Sequence, residues 1–275
     1  MRLHRGLLTF AGVFMGVAAL LAVGLRVRPA PFPAVTGNTV PPRTVPLPAG
    51  LPPPVERYFR VTYGERVPVV HSAVISGRAW LRPVPGGPTL PGRFRFIHEA
   101  GRNYRHYIEV TLFGWPVMRV HEVYLDGHSR METPLGSNVD APKVEQAANL
   151  ALWAEAIWMP AVFLTDARVR WEAVTDDTAR LVVPFGGDEE RFTVRFDPQS
   201  GRPQTLEALR YKAADSPTKT RWLNDVLAWG DFGGTTLPRV ASVTWADDGR
   251  PWATFTVEDV VNNVDVRSSL RGRGP

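Results

Sequence analysis

The sequence predicts an α+β fold: a large, curved, mostly antiparallel sheet, a half-barrel or open barrel, packed over one buried helix and preceded by an N-terminal transmembrane helix. Three observations predict it. Strand-like segments recur from Val69 to Val261 with Gly, Pro or Asn at their junctions. One segment, KVEQAANLALWAEAIW at 143–158, is apolar almost all round, the pattern of a helix buried on every side. Residues 6–25 form an uncharged apolar run with Arg2, His4 and Arg5 before it and Arg26 and Arg28 after it.

At about 1.5 Å per residue, that run spans about 30 Å, the thickness of a bilayer's hydrocarbon core. It is longer than the apolar region of a cleavable signal peptide. Arg26-Val-Arg-Pro follows it in place of a small-residue cleavage pattern, so a retained anchor is favoured over a cleaved signal. The expected organisation is an anchor at 1–28, a Pro-rich linker at 29–54, one β-rich domain at 55–266 and a basic disordered tail at 267–275. The domain is expected outside the cytoplasm, single-pass and membrane-anchored, with membrane lipid as its neighbour.

The chain has 275 residues, a formal charge of +5 and no cysteine. Disulfides, zinc–thiolate sites, thiol catalysis and lipid-modified cysteine are therefore excluded. Arg2, Arg5, Arg26, Arg28 and Arg43 account for the whole basic excess, because residues 1–54 hold no acid. The remainder is neutral and offers no basic face for a phosphate backbone, so no nucleic-acid partner is expected. The basic residues beside the anchor suit anionic headgroups instead. Ten prolines between residues 29 and 54 predict a semi-rigid polyproline spacer that holds the domain off the membrane.

Pro54 starts a short helix that puts Val55, Tyr58 and Phe59 on one face. Strands are predicted at Val69–Arg82, Gly92–Glu99, Asn103–Phe113 and Val117–Asp126, and their short connections require antiparallel pairing. Asp140 is placed to cap the buried helix, Pro142 fits its first turn, and Pro160 stops it. Further strands follow at Ala167–Val174, Ala179–Phe185, Arg191–Asp197, Gln204–Tyr211, Lys219–Trp229, Thr236–Trp245 and Trp252–Val261. No internal repeat is present.

LPPPVERYFR at 51–60, AEAIWMPAVFL at 154–164, VRWEAV at 169–174 and WGDFGGTTLPRVASVTW at 229–245 resemble a bacterial family of unknown function whose members often carry an N-terminal membrane segment. The resemblance covers most of residues 51–262, and the Glu-x-x-Trp-x-Pro helix end is its most specific element. It implies a β-rich fold, similar in shape to lipoprotein-localisation proteins that carry lipid chains in a half-barrel closed by helices. It assigns no catalytic residue.

Catalytic signatures are missing: the chain has no G-x-S-x-G elbow, phosphate loop, dinucleotide fingerprint or H-E-x-x-H pair. A hairpin centred on Arg102 would set His98 opposite His106 on one face, with His121 a conceivable third metal ligand. No carboxylate at ligand spacing completes that set, so half-exposed sheet histidines are the preferred reading, and no metal or cofactor is expected. His128-Ser129 is placed in a loop. Glu155 is expected to meet a facing arginine or to mark where the helix emerges.

The positive signal is aromatic. A single helix cannot cover both faces of some ten strands, so the sheet either curls around a cavity or leaves one face to an apolar ligand. The cavity candidates are Trp80, Phe94, Phe96, Tyr107, Trp115, Tyr124, Trp153, Trp158 and Trp171. The leading expectation is a tethered envelope domain that binds a lipid or other apolar ligand without catalysis. The alternatives are a metal-dependent or hydrolytic enzyme on an envelope substrate, and a scaffold for another envelope protein.

Overall fold

The computed structural model describes residues 15–16, 19–36, 41–84, 86–133, 136–139 and 141–275. Most of the predicted membrane span lies outside these residues. Among the described residues, 19–24 are helical, and no helix is long and apolar enough to cross a membrane.

The chain enters through β1 (Thr44–Pro46), which pairs with β2 (Arg66–Pro68) around helix α1 (Pro53–Tyr63). The first meander follows: β3 (Ser72–Leu81), β4 (Leu90–Glu99), β5 (Asn103–Leu112), β6 (Trp115–Leu125), β7 (His128–Thr133) and β8 (Gly136–Val139). Helix α2 (Pro142–Glu155) continues as a 3₁₀ turn at Ala156–Trp158, and Pro160 separates it from the short α3 (Val162–Thr165). The second meander is β9 (Arg170–Ala173), β10 (Thr178–Phe185), β11 (Asp188–Phe196), β12 (Pro203–Arg210), β13 (Thr220–Phe232), β14 (Thr235–Trp245) and β15 (Pro251–Asn262). A last helix, α4, spans Arg267–Arg271.

These strands form one 13-stranded antiparallel sheet in the order 8-7-6-5-4-3-15-14-13-12-11-10-9. Only the central β3–β15 pairing joins strands distant in sequence. The chain walks outward from β3 to the edge strand β8, crosses through α2 to the other edge strand β9, and walks inward to β15. Helix α2 is the crossover, and it packs on β6 and β7 of one meander and on β10 and β12 of the other. A sheet touching one helix from strands this far apart must bend around it, and bulges in β12–β15 accommodate the bend. The sheet stays open, with β8 and β9 as its edges.

Helix α2 is buried on every side from Gln146 to Ala154, as its composition predicts. Its N-cap is Ala141, without a side-chain cap, and Pro142 follows it. Asp140, the expected cap, lies outside the described residues. Polar groups along the helix and the turn after it tie it to the second meander. Gln146 Nε2 donates to the Leu209 carbonyl at 3.0 Å and Asn149 Nδ2 to the Pro184 carbonyl at 3.1 Å. Trp158 Nε1 donates to the Pro238 carbonyl at 3.0 Å.

Three expectations are corrected. Residues 29–36 do not stand off as a spacer but lie along the sheet. Phe32 is buried between the guanidinium groups of Arg93 and Arg95, at 4.3 and 5.3 Å from its ring centre, and 5.6 Å from the Tyr107 ring. Arg93 donates to the Ala30 carbonyl at 2.9 Å and Arg95 to that of Pro33. Polyproline backbone leaves its carbonyls unpaired, and the arginine-lined outer face supplies the donors. The tail at 267–275 is likewise docked in part. Leu270 of α4 is buried with Val74, Ile97 and Val266, apolar residues that the outer face of β3 and β4 would otherwise expose. His128-Ser129 belongs to β7, not to a loop, and Ser129 is buried.

Candidate functional site

Strand register places one aromatic and charged ladder on the helix-facing side. Gly101, with φ +67°, turns the β4–β5 hairpin, so His98 pairs with Tyr104 and Phe96 with His106. The turn is centred one residue earlier than expected. Side chains alternate with period two, so this shift moves each pairing by two residues and leaves His98 and His106 on one face, diagonal rather than opposite. On β6, Glu122 pairs with His106 and Tyr124 with Tyr104, so both join the same face.

Helix α2 completes the group. Its stripe Ala151, Ala154, Glu155 and Trp158, spaced by three and four residues, faces the centre of the sheet. Glu155 Oε2 lies 2.7 Å from His106 Nε2 and 2.9 Å from His98 Nε2. His106 Nδ1 lies 3.3 Å from Glu122 Oε2, and the Tyr104 hydroxyl donates to Glu122 Oε1 at 2.7 Å. Glu155 is therefore hydrogen-bonded to His106 and in close contact with His98, while the buried Arg210 acts on it only through its charge.

Burial opposes the charge on His106, but the Glu155 and Glu122 carboxylates outweigh it and raise the imidazole well above its ordinary range. Burial would push Glu155 up, but His106 and His98 hold it well below the usual carboxylate range. Burial lowers His98, so that ring favours the neutral form. The group is a pair of buried carboxylates sharing one imidazolium, with a second, neutral imidazole beside it. Among the described residues, His98, His106 and Glu155 form the group able to hold a metal ion, each presenting one ligand atom, all within 4.8 Å of one another. His121 is not among them: it pairs with Tyr107 on the outer face, 4.7 Å from that ring.

Two cavities adjoin this cluster. The inner one, about 80 Å³, lies between the alanine stripe and β12–β15, where Ala151 and Ala154 leave space that larger side chains would fill. The outer one, about 810 Å³, is walled by Leu81, Val110, Met118, Val120, Met131 and Trp245. Ile108, Glu122 and Trp252 line both, so the two adjoin at the acidic end of the cluster. Arg82, Lys212, Asp248 and Arg250 stand at the outer rim. On the inner wall, the Arg210 guanidinium stacks over Trp222 at 4.5 Å and donates to the Ala147 carbonyl at 2.9 Å.

Of the nine aromatic candidates, Phe96 and Trp158 line the inner cavity. Phe94 packs behind them, 4.6 Å from Phe96 and 5.0 Å from Phe255. Tyr124 and Trp153 line a separate cleft on another face of α2. Trp171 packs against Phe59, Phe163 and Phe196 beneath the second meander. Tyr107 and Trp80 belong to the outer face: Tyr107 touches Phe32, and Trp80 lies beside Arg28 and Pro29. Trp115 is 77% exposed at the tip of the β5–β6 hairpin. The outer cavity's aliphatic wall on β5 and β6 carried no aromatic signal. Alternation along the two strands was the signal that could have found it.

This chain is an open antiparallel β-sheet domain bent over its crossover helix. It belongs to DUF6544, a family of unknown function whose pattern matches residues 42–257. Among curated proteins, none matches the chain. Solved structures resemble it at low identity. One is an outer membrane lipoprotein-sorting protein domain from Vibrio parahaemolyticus, 8% identical, covering 72% of this chain and 88% of that one, with a TM-score of 0.42. Another is a LolA superfamily protein from Nitrosomonas europaea, 10% identical, covering 78% and 94%, with a TM-score of 0.44. A third is a DUF1329 family protein from Desulfovibrio piger, 10% identical, covering 73% and 89%, with a TM-score of 0.36.

Proposed function

We propose that this domain binds an apolar chain, such as the acyl group of a lipid, in the outer cavity while tethered to a membrane by residues 6–25. The observation that carries the reading is the outer cavity itself: about 810 Å³, mostly aliphatic and aromatic along its walls, with Glu122 the one charged group at its inner end and the other charged groups on Arg82, Lys212, Asp248 and Arg250. That is the size and lining of a site for a lipid-sized molecule. At the rim Lys212 is paired with Asp247 and Asp248, and Arg82 and Arg250 supply the positive charge that suits an anionic headgroup.

The β5–β6 hairpin supports the tether. Its inner face supplies Val110, Met118 and Val120 to the cavity wall, and its tip exposes Trp115 and Val117. At that tip the Phe113 amide donates to the Gly24 carbonyl at 2.9 Å, at the end of the apolar N-terminal run. An exposed tryptophan beside the end of a span belongs at the level of the headgroups. The cavity wall therefore rises directly from the proposed membrane surface.

The test uses the full-length chain in mild detergent and a dansylated fatty acid as probe. Met118→Asp with Val120→Asp places two carboxylates on half-buried wall positions, where folding tolerates them better than in the core. Losing the apolar contact of two half-buried side chains costs about 2–3 kcal/mol, so the probe is expected to bind about 30–150-fold more weakly. Equal binding by the folded double variant, or no binding by the wild type, refutes the reading. Recovery of the wild type without detergent after carbonate extraction of membranes refutes the tether.

A further inference from the structure

The buried cluster contains a donor that its own hydrogen bonds leave unused. The His106–Glu155 contact is aligned as a hydrogen bond. The His98–Glu155 contact is not: His98 is 0% exposed, and neither of its ring nitrogens has a hydrogen-bond partner, although Nε2 lies 2.9 Å from Glu155 Oε2. The hydrogen-bond network accounts for His106 and Glu155 and leaves His98 with its misaligned contact to Glu155 alone.

We propose that His98 Nε2, His106 Nε2 and Glu155 Oε2 bind a divalent transition-metal ion of the zinc type. Two imidazoles and one carboxylate form a donor set that zinc takes, with bonds of about 2.0–2.2 Å. Two donors sharing such an ion at the tetrahedral angle lie about 3.3–3.6 Å apart. The two Glu155 contacts, at 2.7 and 2.9 Å, open to that spacing by roughly half an ångström or slightly more, and the three ligand atoms already lie within 4.8 Å of one another. With one carboxylate and no carbonyl in the set, magnesium and calcium are disfavoured.

The neighbours fit the same ion. Glu122 accepts from His106 Nδ1 and is itself held by the Tyr104 hydroxyl, which keeps Nε2 turned toward the site. Carboxylates placed behind ligating histidines commonly play this part. Three protein ligands leave a coordination position open, and His106 and Glu155 both line the inner cavity, so that position faces it.

The experiment takes the tag-free full-length chain in mild detergent, strips it with a chelator and titrates it with zinc chloride against a fluorescent zinc indicator. Metal content is read by mass spectrometry. One zinc per chain is expected, with a dissociation constant below about 1 μM. His98→Ala is expected to weaken binding by at least about 100-fold, and His121→Ala to leave it unchanged. Cobalt in place of zinc is expected to give the visible absorption of a four- or five-coordinate ion, altered in Glu155→Gln. A folded wild type that takes up no zinc overturns the proposal, and so does a His98→Ala variant that binds as tightly as the wild type. Should His98→Ala fail to fold, the wild-type cobalt spectrum decides, and a purely six-coordinate aquo-like spectrum overturns the site. The proposal is independent of the lipid reading, because zinc uptake and fatty-acid binding are measured separately and either can fail alone.

Discussion

Replacing Glu155 by Gln keeps the shape of the side chain and removes the charge that faces His106 at 2.7 Å. Two unit charges at that distance attract by about 6 kcal/mol at an effective dielectric constant near 20, and most of this offsets the desolvation of the pair. Removing one partner of a buried pair typically costs about 3–5 kcal/mol, because the other is left charged and uncompensated. Here Glu122, 3.3 Å from the other nitrogen of His106, remains as a partner, so the lower end applies: about 3 kcal/mol. For a domain of this size each kcal/mol lowers Tm by about 2–4 °C, so a fall of about 6–12 °C is expected. Thermal unfolding followed by circular dichroism at pH 7, with EDTA in both samples to exclude metal, measures it. A change of less than about 2 °C refutes the charged-pair account of the cluster.

Gly77→Ala tests the seam between the two meanders. A Cβ at residue 77 would meet the Thr256 carbonyl oxygen at 2.1 Å, where the β15 bulge brings the strands close, so β3 and β15 cannot keep their pairing. The expected loss is at least about 3 kcal/mol, read as a lowered urea midpoint, and a midpoint equal to wild type would contradict the seam. On the outer face, burial raises the Glu109 carboxyl, but the Tyr107 hydroxyl and the Arg93 guanidinium outweigh it and hold it below its ordinary 4.5. A carboxyl lowered in the folded state contributes stability fully above its unfolded value and loses it as pH falls through the folded one. Wild-type stability is therefore expected to decline below about pH 4.5, and Glu109→Gln to decline less steeply there. Parallel urea midpoints between pH 3 and pH 6 for the two proteins would show that Glu109 does not drive the decline.

Much of the domain was legible one segment at a time. The strands from Val69 to Asp126 and from Ala167 to Val261 announced themselves through alternation and turn residues, and α2 through its all-round apolarity and Pro160. The shared face of His98 and His106 followed from strand parity, which survives a one-residue error in the turn. The pairing of β3 with β15 was not legible, nor was the sheet order it creates, because no local signal relates Gly77 to Val257. Tyr107 read as a cavity aromatic. Only the docking of Phe32 shows that it faces the opposite way.

By itself the sequence determined the elements, their antiparallel sense, the burial of the helix and the family, because these depend on residues within a turn or two of one another. The tertiary structure alone decided that Glu155 meets His106 across 49 residues of chain, that alanines on the helix open a cavity, and that Ala30, Phe32 and Pro33 dock on the outer face. The physical reason is range. Periodicity, capping and turn chemistry act along the chain, whereas the helix that crosses from one edge of the sheet to the other sets which distant side chains share a buried space.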